Sequence, residues 1–272
     1  MKVPGKYLYD YNYRYVDING GLMSYSLYRQ NFYRTNFIYG FGVNEDVAQG
    51  INATLIGGYI NMQGINRSYY GAEFEASRYN KKGSLINYTF KTGGFINKKD
   101  FQDVNVLMGI NGFTKLRPVN KFWYNRNFMG ISYTRQINPY LNEPLVLQSE
   151  FGLPYYRKSL LEGKMRTTFK FETVFYNIKK IAGFRIAPLL FTDLSIFQSL
   201  KEPVTKNNGF PAFGAGVRTR NENLVFGTIE LKGYYFPRII DGMQHFRVQL
   251  KTNLKFKYNT SFIHTPDFAR PN

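Results

Sequence analysis

Few side chains in this sequence could carry covalent chemistry. There is no cysteine, which removes disulfides, thiolate nucleophiles and cysteine-based metal sites. The two histidines, His245 and His264, fall at the start of an alternating stretch and in the tail after it. That placement offers neither a metal pair nor a base for a nucleophile. Glu73 and Glu75 could be read as an acid pair. Residues two apart on a strand project side by side rather than across a cleft, so they read better as wall carboxylates facing neighbouring Lys or Arg. Gly214-x-Gly216 is not a dinucleotide loop, because no third glycine opens a helix after it. No enzyme chemistry, cofactor or metal site is expected.

The elements that would position polar groups are strands. From His245 to Tyr258 the chain reads HFRVQLKTNLKFKY. Successive side chains of a strand point to opposite faces. Phe246, Val248, Leu250, Leu254 and Phe256 therefore share one face, suited to lipid. Arg247, Lys251, Lys255 and Lys257 share the other, suited to a wet, basic lumen. A helix would scatter both sets. The stretch exceeds the roughly 9–11 residues with which a tilted strand crosses the hydrocarbon layer. On this stretch alone, a long strand of a soluble sheet fits equally.

Composition favours the membrane reading. The chain has 272 residues, 43% hydrophobic and 18% aromatic, too aromatic for a disordered chain. No run approaches the ~18 apolar residues of a spanning helix, whereas in a membrane barrel the lipid-facing and lumen-facing residues average out. The net charge of +18 points to phosphates. Basic residues among aromatics, as in Lys121-Phe122-Trp123-Tyr124-Asn125-Arg126, could also stack on single-stranded nucleic acid. Such modules are much smaller than this chain, so nucleic acid is not the expected partner. Lys and Arg at the headgroups beside an aromatic girdle account for charge and aromatics together. The opening MKVPGKYLYDYNYRY lacks the apolar core of a signal peptide, so a mature, trimmed or partial chain is expected.

Read in order, residues 1–21 form an irregular entry segment. Strands are expected at Leu22–Arg29, Asn36–Val43, Ile51–Met62, Arg67–Ser77, Leu85–Ile96, Phe101–Phe113, Lys121–Arg135, Leu145–Phe151, Lys164–Tyr176, Ile181–Phe197, Ala212–Arg220, Leu224–Phe236 and His245–Tyr258, with a tail at 259–272. Asn80-Lys81-Lys82-Gly83 and Asn97-Lys98-Lys99-Asp100 read as tight hairpins, and Gly152–Gly163 as a longer connection. The expectation is one all-β domain over residues 1–272, an antiparallel transmembrane β-barrel of about 12–16 strands.

From Gly163 to Tyr258 the chain resembles the barrel half of the BamA/TamA-like superfamily, which includes outer-membrane assembly factors and two-partner secretion transporters. The likeness is carried by Thr168-Phe169-Lys170-Phe171-Glu172, Gly183-Phe184-Arg185, Phe191-Thr192-Asp193, Gly214-Ala215-Gly216-Val217-Arg218 and the alternating last strand, in that order. The resemblance implies a single antiparallel barrel in the bacterial outer membrane, acting in protein insertion or export. It implies an inward-folded loop whose Arg meets acidic residues on the wall. By position these are Arg157, Glu172 and Asp193, although no Gly follows this Arg as it does in the family. It also implies a weakly paired seam between first and last strands. Implied partners are lipid and lipopolysaccharide phosphates, unfolded client outer-membrane proteins and other assembly subunits. No POTRA domain is expected on this chain. The alternatives are a passive pore or structural barrel with a basic lumen, or the membrane anchor of a longer protein.

Overall fold

Alternation of apolar and polar residues runs through almost the whole chain, and it produces one antiparallel sheet. The computed structural model describes residues 17–156, 162–200, 208–221, 227–240, 242–254, 265–270 and 272. Thirteen strands follow in order: β1 (Ile18–Thr35), β2 (Glu45–Met62), β3 (Ile65–Asn80), β4 (Ser84–Asn97), β5 (Asp100–Phe113), β6 (Arg117–Pro118), β7 (Trp123–Ile137), β8 (Leu145–Val146), β9 (Glu162–Asn177), β10 (Phe184–Ser199), β11 (Asn208–Asn221), β12 (Thr228–Tyr235) and β13 (Phe246–Leu254). There is no helix among the described residues. The long strands pair as sequence neighbours from β1 to β13, while the short β6 and β8 pair with β7 and β9. β1 and β13 do not pair with each other among the described residues.

Both expected hairpins form. Asn80 accepts the N–H of Gly83 on its carbonyl at 2.8 Å and that of Lys82 on its side chain at 3.0 Å, and Gly83 takes a φ of 90°. At the second turn Lys98 and Lys99 both adopt positive φ, 48° and 85°, the backbone that twists a two-residue hairpin with its strands.

Three expectations fail. β1 begins at Ile18, so residues 18–21 are strand rather than irregular entry; residues 1–16 lie outside the described set. Asn36–Val43 is not a strand but a connection folded back under the sheet. Phe37 and Phe41 take φ of 56° there, and the Glu45 carboxylate captures the N–H groups of Ile38 and Tyr39 at 3.0 Å each. Of Leu145–Phe151, only Leu145 and Val146 pair, with Glu162 and Gly163. Both segments are apolar because they pack inside, and that apolar content mimics a strand.

The sheet is curled. Tyr39, just after β1, accepts a hydrogen bond on its carbonyl from Thr228 of β12, and one cavity is lined by residues of strands from β4 to β13. The polarity is inside-out relative to a water-soluble protein. Each of the eleven long strands shows large apolar side chains on its outer face, among them Met23 at 79% exposure, Leu55 at 65% and Val248 at 73%. The inner face buries Arg67, Arg126, Arg166 and Arg218 with Asn52, Asn105, Thr134 and Gln136. Soluble monomers rarely expose contiguous apolar patches beyond a few hundred Å².

An outer belt of this kind predicts that the refolded chain needs detergent or lipid to stay monodisperse. In vesicles, Leu55→Arg at mid-strand is expected to lower folding free energy by about 2–4 kcal/mol. Asn111→Ala on the inner face should cost less than about 1 kcal/mol. Urea titration of folding in lipid vesicles measures both; equal effects would show that the two faces are not distinct.

Candidate functional site

The bore is filled by the chain itself. Three segments turn inward: residues 36–44, the described part of the β7–β9 connection at 138–156, and residues 265–272. Each is held by polar side chains that strand alternation delivers to the inner face.

Asp103 on β5 holds the start of the long connection. The β4–β5 register shifts between Gly93 and Phe95, and Asp103 adopts a φ of 51°, a left-handed conformation that Asp tolerates better than most residues. Its N–H donates to the carbonyl of Asn138, the first residue past β7, at 2.8 Å. Its carboxylate accepts Nη1 of Arg67 at 2.6 Å and the N–H groups of Tyr140, Leu141 and Asn142 at 2.5, 3.0 and 3.2 Å. Further along, Gln136 brackets the connection through the Glu143 carbonyl at 3.1 Å and the Leu145 N–H at 3.2 Å. Arg166 donates to the Val146 carbonyl, Lys170 to that of Glu150 at 2.8 Å and Ser132 to that of Phe151 at 2.9 Å. Leu141, Leu145, Leu147, Leu153 and Tyr156 are buried. Burial pushes the Tyr156 phenol up to about 12, so it stays neutral and donates to the Arg238 carbonyl at 2.6 Å.

A second cluster stands across the bore on β9, β11 and β12. Arg218 donates through Nη2 to Glu172 at 2.6 Å and through Nε to Glu230 at 2.7 Å. Lys232 reaches Glu172 at 2.5 Å and Glu230 at 3.6 Å. Gly214 and Gly216 make the room. A Cβ on Gly214 would fall 2.2 Å from the Phe191 ring, and one on Gly216 would fall 2.9 Å from Cγ of Lys232. Phe191 and Lys232 therefore lie flat on the sheet beside Arg218. The guanidinium sits 4.8 Å from the ring centre of Tyr39, within cation–π range. Burial, against the opposing pull of Arg218, pushes the Tyr39 phenol up to about 12. Residues 36–44 are fixed further by Tyr176, donating to the Ile38 carbonyl at 2.7 Å, and by Arg126, donating to the Asn36 carbonyl at 3.3 Å.

Glu172 and Asp193 both lie on the inner wall, as expected by position, and line a cavity of about 490 Å³. Arg157 lies outside the described residues. Glu172 is engaged by Arg218 and Lys232, and Asp193 stands opposite Lys170 in register. On β13, Phe246, Val248 and Leu250 face outward, and Lys251 lines the cavity opposite Glu230. Arg247 falls on the same inward set as Lys251 and is half-buried. Leu254 ends β13; Lys255, Phe256 and Lys257 lie outside the described residues, as does His264. Glu73 and Glu75 meet Lys91 at 3.5 and 3.2 Å, as ion-paired wall residues. The His245 ring lies 2.8 Å from the carbonyl of Phe236 through Nδ1, tying the β12–β13 connection. Among the described residues no group of three His, Cys, Asp or Glu could hold a metal.

Sequence reading missed the roles of Asp103 and Arg218. Arg218 had a signal: it alternates with Gly214 and Gly216 and falls in register with Glu230. Asp103 had none, because a bulge placed it. Compared with models of protein families the chain matches none, and a search of curated proteins finds no match.

Breaking a buried ion cluster from one side leaves charge uncompensated. Arg218→Met is expected to cost about 3–5 kcal/mol in urea unfolding. Adding Glu230→Gln to it, which leaves Glu172 paired with Lys232, should recover much of that loss. A single-variant cost below about 1 kcal/mol, the range of an exposed pair, would show that the cluster is incidental.

Proposed function

We propose that this chain is a bacterial outer-membrane β-barrel of the BamA/TamA-like kind, acting in the insertion or export of proteins. The observation that carries the reading is the inside-out polarity of the curled sheet together with a long connection folded into its bore. An outer belt of apolar side chains fits hydrocarbon, and buried arginines, two of them ion-paired and two donating to inserted backbone, fit a protein-filled lumen. The resemblance implies an inward-folded loop at Gly152–Gly163, ahead of Glu172 and Asp193; its described part ahead of β9, residues 152–156, ends a connection held to the inner wall, which supports the reading. It also implies a weak seam, and the edges of β1 and β13 are free of each other among the described residues.

A free strand edge presents unpaired N–H and C=O groups that another chain can extend. In lipid such an edge is costly unless covered, so an unfolded client strand is a fitting partner there. Lipid and lipopolysaccharide phosphates are the partners of the basic strand ends. A passive pore needs an open lumen, and the three inserted segments weigh against it.

The test is reconstitution of the full chain in lipid vesicles with a urea-unfolded outer-membrane barrel as client. Client folding, followed by the electrophoretic shift of folded barrels, is expected to run faster than in empty vesicles. Gln136→Leu, which loses both brackets on the long connection, should reduce the acceleration. No acceleration, with steady anion-preferring conductance across a planar bilayer, would replace this reading with the passive pore.

A further inference from the structure

Phe268 and Ala269 meet the inner wall, and Asn272 meets the long connection, each through contacts of its own. The Phe268 ring packs onto the Tyr69–Phe95 pair, with centroids at 5.0 Å from Tyr69 and 5.3 Å from Phe95. Ala269 has both backbone groups satisfied by side chains. Its N–H donates to the Tyr69 hydroxyl at 2.7 Å, and its carbonyl accepts Nδ2 of Asn105 at 2.9 Å. This imitates one rung of a strand ladder without a strand. Gly93 lies beneath: a Cβ there would fall 2.1 Å from the Tyr69 hydroxyl oxygen and 3.1 Å from Cβ of Ala269. The missing side chain makes a subsite that a small residue fills and a large one cannot enter. Three positions on, the Asn272 amide is read at both ends. Its Oδ1 accepts the Val146 N–H and its Nδ2 donates to the Pro144 carbonyl, both at 2.9 Å.

We infer that this groove, made by Tyr69, Gly93, Phe95 and Asn105 with the backbone at Pro144 and Val146, is a peptide-binding site in the bore. In this structure the chain's own residues 265–272 fill it. The ligand class is an extended polypeptide with an aromatic residue followed directly by a small one and an Asn three positions later. Recognition is built into the wall. Phe95 is backed by the Arg67 guanidinium at 4.0 Å, which Asp103 holds in turn. The resident segment is bound shallowly: only Ala269 among its described residues is buried, while Thr265, Asp267 and Arg270 are exposed. It adds no strand to the sheet. A segment held by one ring, one backbone pair and one amide is open to exchange with a second copy of the same pattern. Peptide capture in the bore is separate from client insertion at the seam, and each can fail without the other.

The test uses the full chain in detergent micelles and a fluorescein-labelled peptide with the sequence of residues 265–272. Phe268→Ala with Asn272→Ala weakens the resident segment and leaves the groove intact. By anisotropy this variant should bind the peptide saturably, about tenfold tighter than the unaltered chain, a difference of ~1.4 kcal/mol. The peptide carrying Ala in place of Phe268 should not bind, and adding Asn105→Ala to the variant should abolish binding. Electrophoretic heat-modifiability reports that each variant is folded; if the double change prevents folding, Asn272→Ala alone carries the same comparison. Equal binding to the altered and unaltered chains, or no binding to a folded variant, overturns the assignment.

Discussion

Four guanidinium groups buried inside a curled sheet are the constraint from which the rest of the architecture follows. An arginine removed from water costs several kcal/mol unless its charge and its donors are met. Arg67, Arg126, Arg166 and Arg218 are each at most 2% exposed, and each is met by something that also fixes an inserted segment. Arg67 pairs with Asp103, whose carboxylate holds residues 140–142. Arg126 donates to the carbonyl of Asn36 and Arg166 to that of Val146. Arg218 pairs with Glu172 and Glu230 under the ring of Tyr39. Arg67 and Arg218 keep their wall carboxylates whatever fills the bore, whereas Arg126 and Arg166 donate to carbonyls of the inserted segments. A lumen lined this way and left empty would cost those two their backbone acceptors.

The outer face obeys the opposite rule. Backbone groups are satisfied along the sheet by the ladder, so the outward side chains are free to be apolar, and they are so on every long strand. That arrangement is unfavourable in water and favourable in hydrocarbon. Strand lengths fit it as well: β1 to β5 run 14 to 18 residues, more than the roughly 9–11 that a bilayer requires. The excess carries the ladder past the apolar zone to the turns, where Lys81, Lys82, Lys98 and Lys99 are found.

Alternation is a local signal, and what it specifies is legible in the sequence. The all-β class, the inward placement of Glu172 and Lys251, and the outward placement of Phe246, Val248 and Leu250 follow from a period of two, and the two tight hairpins from their Asn, Gly and Lys turn residues. What alternation cannot convey is where an apolar segment goes once it leaves the ladder. Residues 36–43 and 145–151 carry Phe, Ile, Leu and Val at strand-like density, yet they pack inside against Tyr176, Phe191 and Phe236. The deciding features are the Glu45 carboxylate that bends one and the register shift at Asp103 that seizes the other. Both are single polar residues whose partners are remote in sequence or on backbone. Partnership across strands was readable for Glu73 and Glu75, which meet Lys91, and signalled beside Arg218 by the gap that Gly214 and Gly216 leave. The lodging of residues 265–272 left no trace in composition, because Asp-Phe-Ala-Arg matches any polar tail.

Depth of burial also orders the inserted segments. Residues 138–156 bring six buried hydrophobic side chains, Leu141, Leu145, Val146, Leu147, Leu153 and Tyr156, and are tied at both ends of their described span. Residues 265–272 bring one, Ala269, and rest on that same connection through Asn272. Withdrawal of the shallow segment frees only the Tyr69–Asn105 groove and two backbone groups at Pro144 and Val146. Withdrawal of the deep one breaks the hold of Asp103, Gln136 and Arg166 together, and takes from Arg166 its acceptor at Val146. The two steps therefore differ in cost by several buried apolar side chains, at roughly 1.5–3 kcal/mol each, plus one buried charge. Asn272 lies on the long connection through two hydrogen bonds, so release of the shallow segment removes a hold on the deep one and costs far less than the reverse order.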